Sequence, residues 1–302
     1  MFKTLFFTLM LFTVLAARTG SAHAKVTAKW LTVASVAIDD GKTRLLFDPA
    51  WTRPGLGHIL GWKKLRSDEE LVSKILKQNG LDRVDAVFAS HSHFDHVIDA
   101  PMVSKLAGAV FYTDESSERL AAAYKDKKIR TIGFTPFQKI RVGDFLITPM
   151  PRDHSQILHL FYFLPGPVPE DADLSFWDYH VGDNWFYLIE HPEGNIVIDQ
   201  GSHPAVDVLK KQTDKVDVIF QGVANRLSDD TIINGYVKAF NPKIVVPLHF
   251  DNFFFDFNDG EESDLPGVKL PEFLTNIKKA YPTMKVDKPL YGKTITILEV
   301  ER

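Results

Sequence analysis

Short apolar runs rich in β-branched and aromatic residues, separated by polar turns, predict a chain that opens with a hairpin. Residues 29–38 and 43–47 read as strands joined at Asp39-Asp40-Gly41. Residues 49–62 carry no period and read as a loop. Ser67 with Glu70 three positions on has the form of a capping box, so a helix is expected from there to about Gln78, closed by Gly80. A short buried strand follows at 85–90, then a helix at 101–106 with proline in its first turn and Gly108 past its end.

The same order then repeats. Strands are expected at 110–113, 138–140 and 144–149, with a helix at 116–124 and an aromatic, proline-rich loop at 161–179. A second hairpin, 185–190 with 195–199, turns at Pro192-Glu193-Gly194. Helices at 205–211, 231–240 and 271–280 alternate with strands at 216–220, 243–248 and 293–299. Hairpin first and alternating helices and strands afterwards, in both halves, imply an α/β fold of two mixed sheets packed face to face with helices outside. No linker divides residues 25–302, so one domain with two similar halves is expected.

The first 24 residues follow a different pattern: Lys3, an apolar stretch from Leu5 to Ala17, then Ala22-His23-Ala24. This is the order of a secretory signal, and the stretch is shorter than the roughly 20 residues a bilayer span needs. Cleavage after Ala24 and an exported, periplasmic or secreted, protein without a lasting membrane span are the expectation. Arg18 keeps a retained N-terminal anchor as the alternative.

Composition narrows the chemistry. The 302 residues carry 35 basic and 39 acidic side chains, a net charge of −4, and removal of Lys3 and Arg18 makes it more negative still. Phosphate backbones select basic faces, so a nucleic-acid partner is not expected and a small-molecule substrate is. There are no cysteines, which removes disulfides and thiolate ligands together.

His91-Ser92-His93-Phe94-Asp95-His96 places three imidazoles and a carboxylate within six residues, between a strand and a helix. These are donors for zinc, manganese or iron. Side chains alternate along an extended loop, so His91, His93 and Asp95 are expected on one side and His96 on the other. Four adjacent donors suit two neighbouring ions, each needing ligands from elsewhere. His154 and His249 each follow a predicted strand and Asp199 ends one, where side chains at one sheet edge converge.

In that order, HSHFDH, the lone His154, Asp199 in Ile198-Asp199-Gln200-Gly201 and His249 in Pro247-Leu248-His249 resemble the ligand motifs of the metallo-β-lactamase superfamily. The resemblance implies a four-layer αβ/βα sandwich, with His91, His93 and His154 on one metal, Asp95, His96 and His249 on the other, and Asp199 bridging. Two divalent ions, zinc foremost with manganese or iron as alternatives, would then supply hydroxide at neutral pH, with Asp95 as the catalytic carboxylate. True β-lactamases of the superfamily usually lack the bridging Asp, and many carry Cys there. Together with Phe47-Asp48-Pro49, this makes the chain more similar to the phosphodiesterase and lactonase branches, including the ascorbate-phosphate lactonase and N-acyl-phosphatidylethanolamine phospholipase D groups. Val97-Ile98-Asp99 departs from the glycine that many members have after the motif.

The expected function is hydrolysis of a phosphodiester or related ester. The alternatives are a lactonase or other carbonyl hydrolase on the same metals and, from another class, a periplasmic metal-binding protein without turnover. Asp48 is a candidate to hold a ligand imidazole, and His203 a candidate substrate contact; Asp251 and His180 are weaker, and His58, His159 and His191 read as structural or surface residues. Phe161-Tyr162-Phe163, Phe176-Trp177 and Phe253-Phe254-Phe255, with Trp51 and Trp62, are candidates for an apolar substrate rim.

Overall fold

The computed structural model describes residues 25–156, 162–254 and 263–299. The expected signal segment lies outside the described residues, as do His159, Phe161 and Phe255.

The first sheet starts with β1 (Val26–Trp30), β2 (Val36–Asp39) and β3 (Arg44–Phe47), paired antiparallel in sequence. The chain then forms α1 (Leu56–Ile59), α2 (Glu69–Gln78), β4 (Ala86–Phe88), α3 (Phe94–Val97), α4 (Ala100–Ala107), β5 (Val110–Thr113), α5 (Glu115–Ala122) and β6 (Arg130–Gly133). Strands β3 to β6 run parallel, as helical crossovers require. The second half repeats this. β7 (Ile140–Val142), β8 (Phe145–Pro151), β9 (Trp185–His191) and β10 (Gly194–Asp199) are antiparallel neighbours. α6 (Val206–Lys210), β11 (Val218–Gly222), α7 (Asp229–Ile232), α8 (Lys238–Phe240), β12 (Ile244–Leu248), α9 (Leu270–Ala280) and β13 (Lys285–Val286) follow, with β10 to β13 parallel. β14 (Thr294–Leu298) returns to pair with β1, giving two seven-stranded sheets.

Three apolar layers hold these elements together. Between the sheets lie the inner faces: Phe47 and Phe88 from the first sheet, Phe145, Tyr187, Ile198 and Phe220 from the second. Leu46, Val87 and Phe111 point outward from the first sheet onto Ile75 of α2 and Val103 of α4. Leu188, Val197 and Ile219 do the same in the second sheet, meeting Leu209 and Tyr236. Both faces of each sheet are covered, which is why the central strands read as continuous apolar runs. The result is the expected αβ/βα sandwich.

Local departures from the expected elements have identifiable causes. The strand expected at 29–38 breaks at Leu31–Ser35, where Thr32 and Val33 take positive φ of 78° and 47°. This is a costly conformation for a β-branched residue. Asp251, more than two hundred residues away, holds it: both carboxylate oxygens accept from Val33 N at 2.9 and 3.1 Å. The cap of α2 is Asp68, not Ser67, whose hydroxyl donates instead to buried Asp99 at 2.6 Å. β6, β13 and the turn α1 were not foreseen. The helix expected at 231–240 is interrupted by a π turn, Ile233–Val237, around Gly235 at φ −81°, ψ −111°. Pro204 packs there so closely that a Cβ on Gly235 would lie 2.8 Å from its ring.

At the end of β11 a Cβ on Gly222 would sit 1.9 Å from the backbone oxygen of Gln200. Gly222→Ala is therefore expected to push away the loop after β10 and to cost about 1–3 kcal/mol by overpacking, read from the denaturant midpoint. An unchanged midpoint would show that this close approach is not required.

Candidate metal centre

The parallel strands of both sheets end at one edge of the sandwich, and the predicted ligands sit there. His91 lies three residues past β4, His154 three past β8 and His249 directly after β12, at φ 56°. The alternation expected through the HxHxDH motif stops at His93. That residue caps α3, and the single helical turn Phe94–Val97 carries Asp95 and His96 away together. Asp95 therefore joins His96 rather than His91 and His93, because successive helical side chains follow a rotation of about 100° instead of a pleat.

Two groups result: His91 with His93 and His154, and Asp95 with His96 and His249. Within each, one ligand atom per residue lies within 4.8 Å of the others. Hydrogen bonds set the tautomers of the first group. His93 Nε2 donates to the carbonyl of Phe163 at 2.9 Å, and His154 Nδ1 donates to that of Ser155 at 2.7 Å. Both rings are left with an inward lone pair, and His93 Nδ1 is 3.0 Å from His91 Nε2. Burial, then the neighbouring imidazoles, hold these rings neutral: His91 is pushed well below its usual value, His154 to about 3 and, despite Asp95, His93 to about 4. Three desolvated neutral imidazoles aimed at one point suit a divalent cation.

The second group is more polar. His96 Nδ1 donates to Asp48 at 2.6 Å, leaving Nε2 3.2 Å from His249 Nε2 and 3.6 Å from Asp95. His249 Nε2 lies 3.2 Å from Asp95. Burial opposes charge on both Asp95 and His96, yet each raises or lowers the other: Asp95 is held below the usual carboxylate range by His96 and His249, and His96 is raised by Asp95 and Asp48. Asp48 is fully buried and also accepts from Ser90 N and Oγ, each at 2.6 Å. One carboxylate thus orients an imidazole of one group and, through Ser90 Oγ 3.1 Å from His91 Nδ1, reaches the other. The donor set fits two cations, one N3 and one N2O.

Asp199 stands in neither group. Its carboxylate is paired with the Arg152 guanidinium and accepts from the Tyr236 hydroxyl at 2.8 Å and from Gly201 N at 3.0 Å. The π turn serves this contact by aiming Tyr236 inward. Arg152 and Tyr236 were not singled out from the sequence; an arginine two residues before His154 was visible, but its partner is on another strand. His203 sits 3.2 Å from Ser155 Oγ and lines a neighbouring cavity with Arg152 rather than the one between the ligands. Asp251 braces the Val33 turn, whose carbonyl accepts from His249 N at 2.8 Å. His180 Nδ1 meets the carbonyl of Pro165, and His58 caps its own turn.

The aromatic residues divide. Phe253 meets His249 edge-on at 5.2 Å between centroids, Phe163 lies 5.7 Å from His93, and Phe94, Phe176 and Phe254 pack around them. Trp51 is fully buried in the core, donating to the carbonyl of Leu31, and is not at the rim. Trp62 is exposed. No helix among the described residues is long and apolar enough to cross a membrane.

Residues 43–223 match a family described as "Beta-lactamase superfamily domain", and the chain belongs to the metallo-β-lactamase superfamily. A UPF0173 metal-dependent hydrolase from Anaeromyxobacter dehalogenans is 29% identical over 57% of this chain and 61% of its own length. A probable L-ascorbate-6-phosphate lactonase from Salmonella choleraesuis is 24% identical over 64% of this chain and 56% of its own. The chain thus spans about three fifths of the length of these relatives. Among solved structures, the metallo hydrolase Igni18 from Ignicoccus hospitalis shares the fold at TM-score 0.61 and 17% identity, over 92% of this chain and 100% of that one. YhfI from Bacillus subtilis does so at 0.58 and 14%, over 90% and 99%.

Asp48→Asn removes the charge that fixes the His96 ring while keeping its shape. Metal affinity is expected to fall about 10–100-fold, measured by competition with a chromogenic chelator. Affinity equal to the parent protein would show that Asp48 does not orient a ligand.

Proposed function

We propose that the protein is a metal-dependent hydrolase acting on a carboxylic ester or lactone with an apolar portion. The observation that carries this is the pair of adjoining ligand groups facing one small cavity of about 50 Å³. Its further lining includes Ser155, Asn184, Gln200, Ser202 and Asn225, with no lysine or arginine lining it among the described residues. A hydroxyl- and amide-rich wall suits a carbonyl oxygen, which gains charge as its carbon is attacked, better than a phosphodiester that is already anionic. The phosphodiester expected from the sequence therefore receives less support. The likeness to a probable lactonase favours the same side.

Divalent cations held by His91, His93, His154, Asp95, His96 and His249 would acidify water towards neutral pH and polarise the substrate oxygen. The chain's own groups do the rest. Asp95, kept ionised by His96 and His249, accepts a hydrogen bond from the attacking water and orients it. Ser155 and the side-chain amides of Asn184 and Asn225 offer donors for the substrate oxygen. Phe163, Phe253 and Phe254 wall the ligands on one side, where they exclude water and meet an apolar substituent.

Asp95→Asn and His93→Ala are each expected to lower turnover of an activated ester or lactone by at least about 1,000-fold. A panel of lactones, short- and long-acyl esters, an activated phosphodiester and a cephalosporin separates the substrate classes. Faster turnover of the phosphodiester would overturn the carbonyl reading, and bound metal with no turnover of any of them would favour a metal-binding role. Phe253→Ala is expected to raise KM for a long-acyl ester about tenfold while leaving a short one nearly unchanged. An equal change for both would remove the apolar rim from the reading.

A further inference from the structure

At the opposite edge of the sandwich, a second set of donors meets where three turns come together. Asp40 lies in the turn between β2 and β3, Asp144 in the turn between β7 and β8, and His191 at the end of β9. The seven residues of β8 separate this edge from His154 by about 20 Å, so the cluster is independent of the metal centre described above. One ligand atom from each of the three lies within 4.8 Å of the others.

Two of the three donors are buried and have an idle atom. Asp40 Oδ1 accepts from Lys42 N at 2.8 Å and Thr43 N at 2.7 Å, which closes its own turn. Its Oδ2 is sealed from solvent without a hydrogen-bond partner. His191 Nε2 is likewise buried and unpartnered, facing that oxygen at 3.5 Å. Leaving both ends of a buried donor–acceptor pair unsatisfied is expensive, and one ion placed between them would satisfy both. Asp144 is half exposed and reached by Lys42 Nζ at 3.1 Å. The cluster still carries one net negative charge, from two carboxylates against one ammonium. The turns are also tightly apposed, since a Cβ on Gly143 would fall 1.9 Å from Thr43 Oγ1. Phe145 packs against the His191 ring, tilted by 39° with 4.8 Å between centroids.

We propose that Asp40, Asp144 and His191 form a structural site for a divalent cation of the zinc or manganese type, which ties the two sheets together at the edge remote from the HxHxDH motif. One imidazole and two carboxylates form a hard, three-ligand set with room for water. Coordination through Nε2 requires the ring proton on Nδ1. Glu193 N now donates to Nδ1 at 3.2 Å, so metal binding exchanges that long hydrogen bond for a metal bond and shifts the tautomer.

The test uses the full chain, stripped with chelator and reloaded with zinc alone or manganese alone. Asp144→Asn, a change at a half-exposed side chain, and His191→Gln are each expected to lower bound metal by one ion per chain while leaving ester turnover unchanged. In a His93→Ala/His96→Ala background, added zinc should still raise Tm and move the His191 nitrogen resonances to the Nδ1–H pattern. Equal metal content in the parent chain and Asp144→Asn, or a His191 ring that keeps its Nε2 proton in the presence of zinc, would overturn the site and leave a plain His191–Asp40 contact. Because both readouts are independent of turnover, failure here is distinguishable from failure of the hydrolase reading.

Discussion

Face-to-face packing of the two sheets is the constraint on which everything else depends. Phe47 and Phe88 stack at 4.8 Å between centroids, and Tyr187 from the opposing sheet meets both at 5.2 and 5.8 Å. These contacts lie just below the site: Asp48 follows Phe47, and Ser90 and His91 follow Phe88 by two and three residues. An aromatic contact of this kind contributes about 0.5–1.5 kcal/mol beyond area burial. Its larger effect is positional, because it locks the register of β3 and β4 against β9. The strand ends of both sheets are thereby held at one edge.

Burial at that edge has an electrostatic cost, and the arrangement of hydrogen bonds offsets it. Charged imidazoles there would be desolvated and would repel one another, so three are held neutral with their lone pairs inward. The carbonyls of Phe163 and Ser155 fix two tautomers, and Asp48 fixes a third. None of these partners belongs to the ligand set. They come from the loop after β8 and from the end of β3, so the chemistry of the ligands is decided by backbone that only the fold delivers.

Arg152 and Asp199 extend the same argument. A fully buried carboxylate needs partners, and here it has a guanidinium, a phenol and a backbone amide. Two irregularities make those partners available. The π turn at Gly235 brings Tyr236 inward, and Gly201 leaves space that a side chain would take from Arg152, whose guanidinium carbon would lie 2.1 Å from its Cβ. Local rules are broken around the site and kept elsewhere, as expected where function competes with regular structure.

The sequence by itself determined the class of fold and pointed to His91, His93, Asp95, His96, His154 and His249 as candidate ligands, whereas the bridging role it implied for Asp199 does not match the Arg152 and Tyr236 partners found there. Strand periodicity, glycine and proline punctuation and the donor density of residues 91–96 are local signals, and His154 and His249 could be found because each follows a strand. The helix bounds erred by a residue or two, since Ser67 and Asp68 are equally good caps until Asp99 claims one of them. Only the tertiary structure decided that the first strand breaks at Val33, that a helical turn rather than strand alternation carries Asp95 to the His96 and His249 side the family resemblance implied, that Asp199 meets Arg152, and that Asp40 and His191 face each other across two sheets. The physical reason is the same in each case. These outcomes depend on charges and packing partners between about forty and more than two hundred residues away, or on a single helical turn too short for periodicity to reveal.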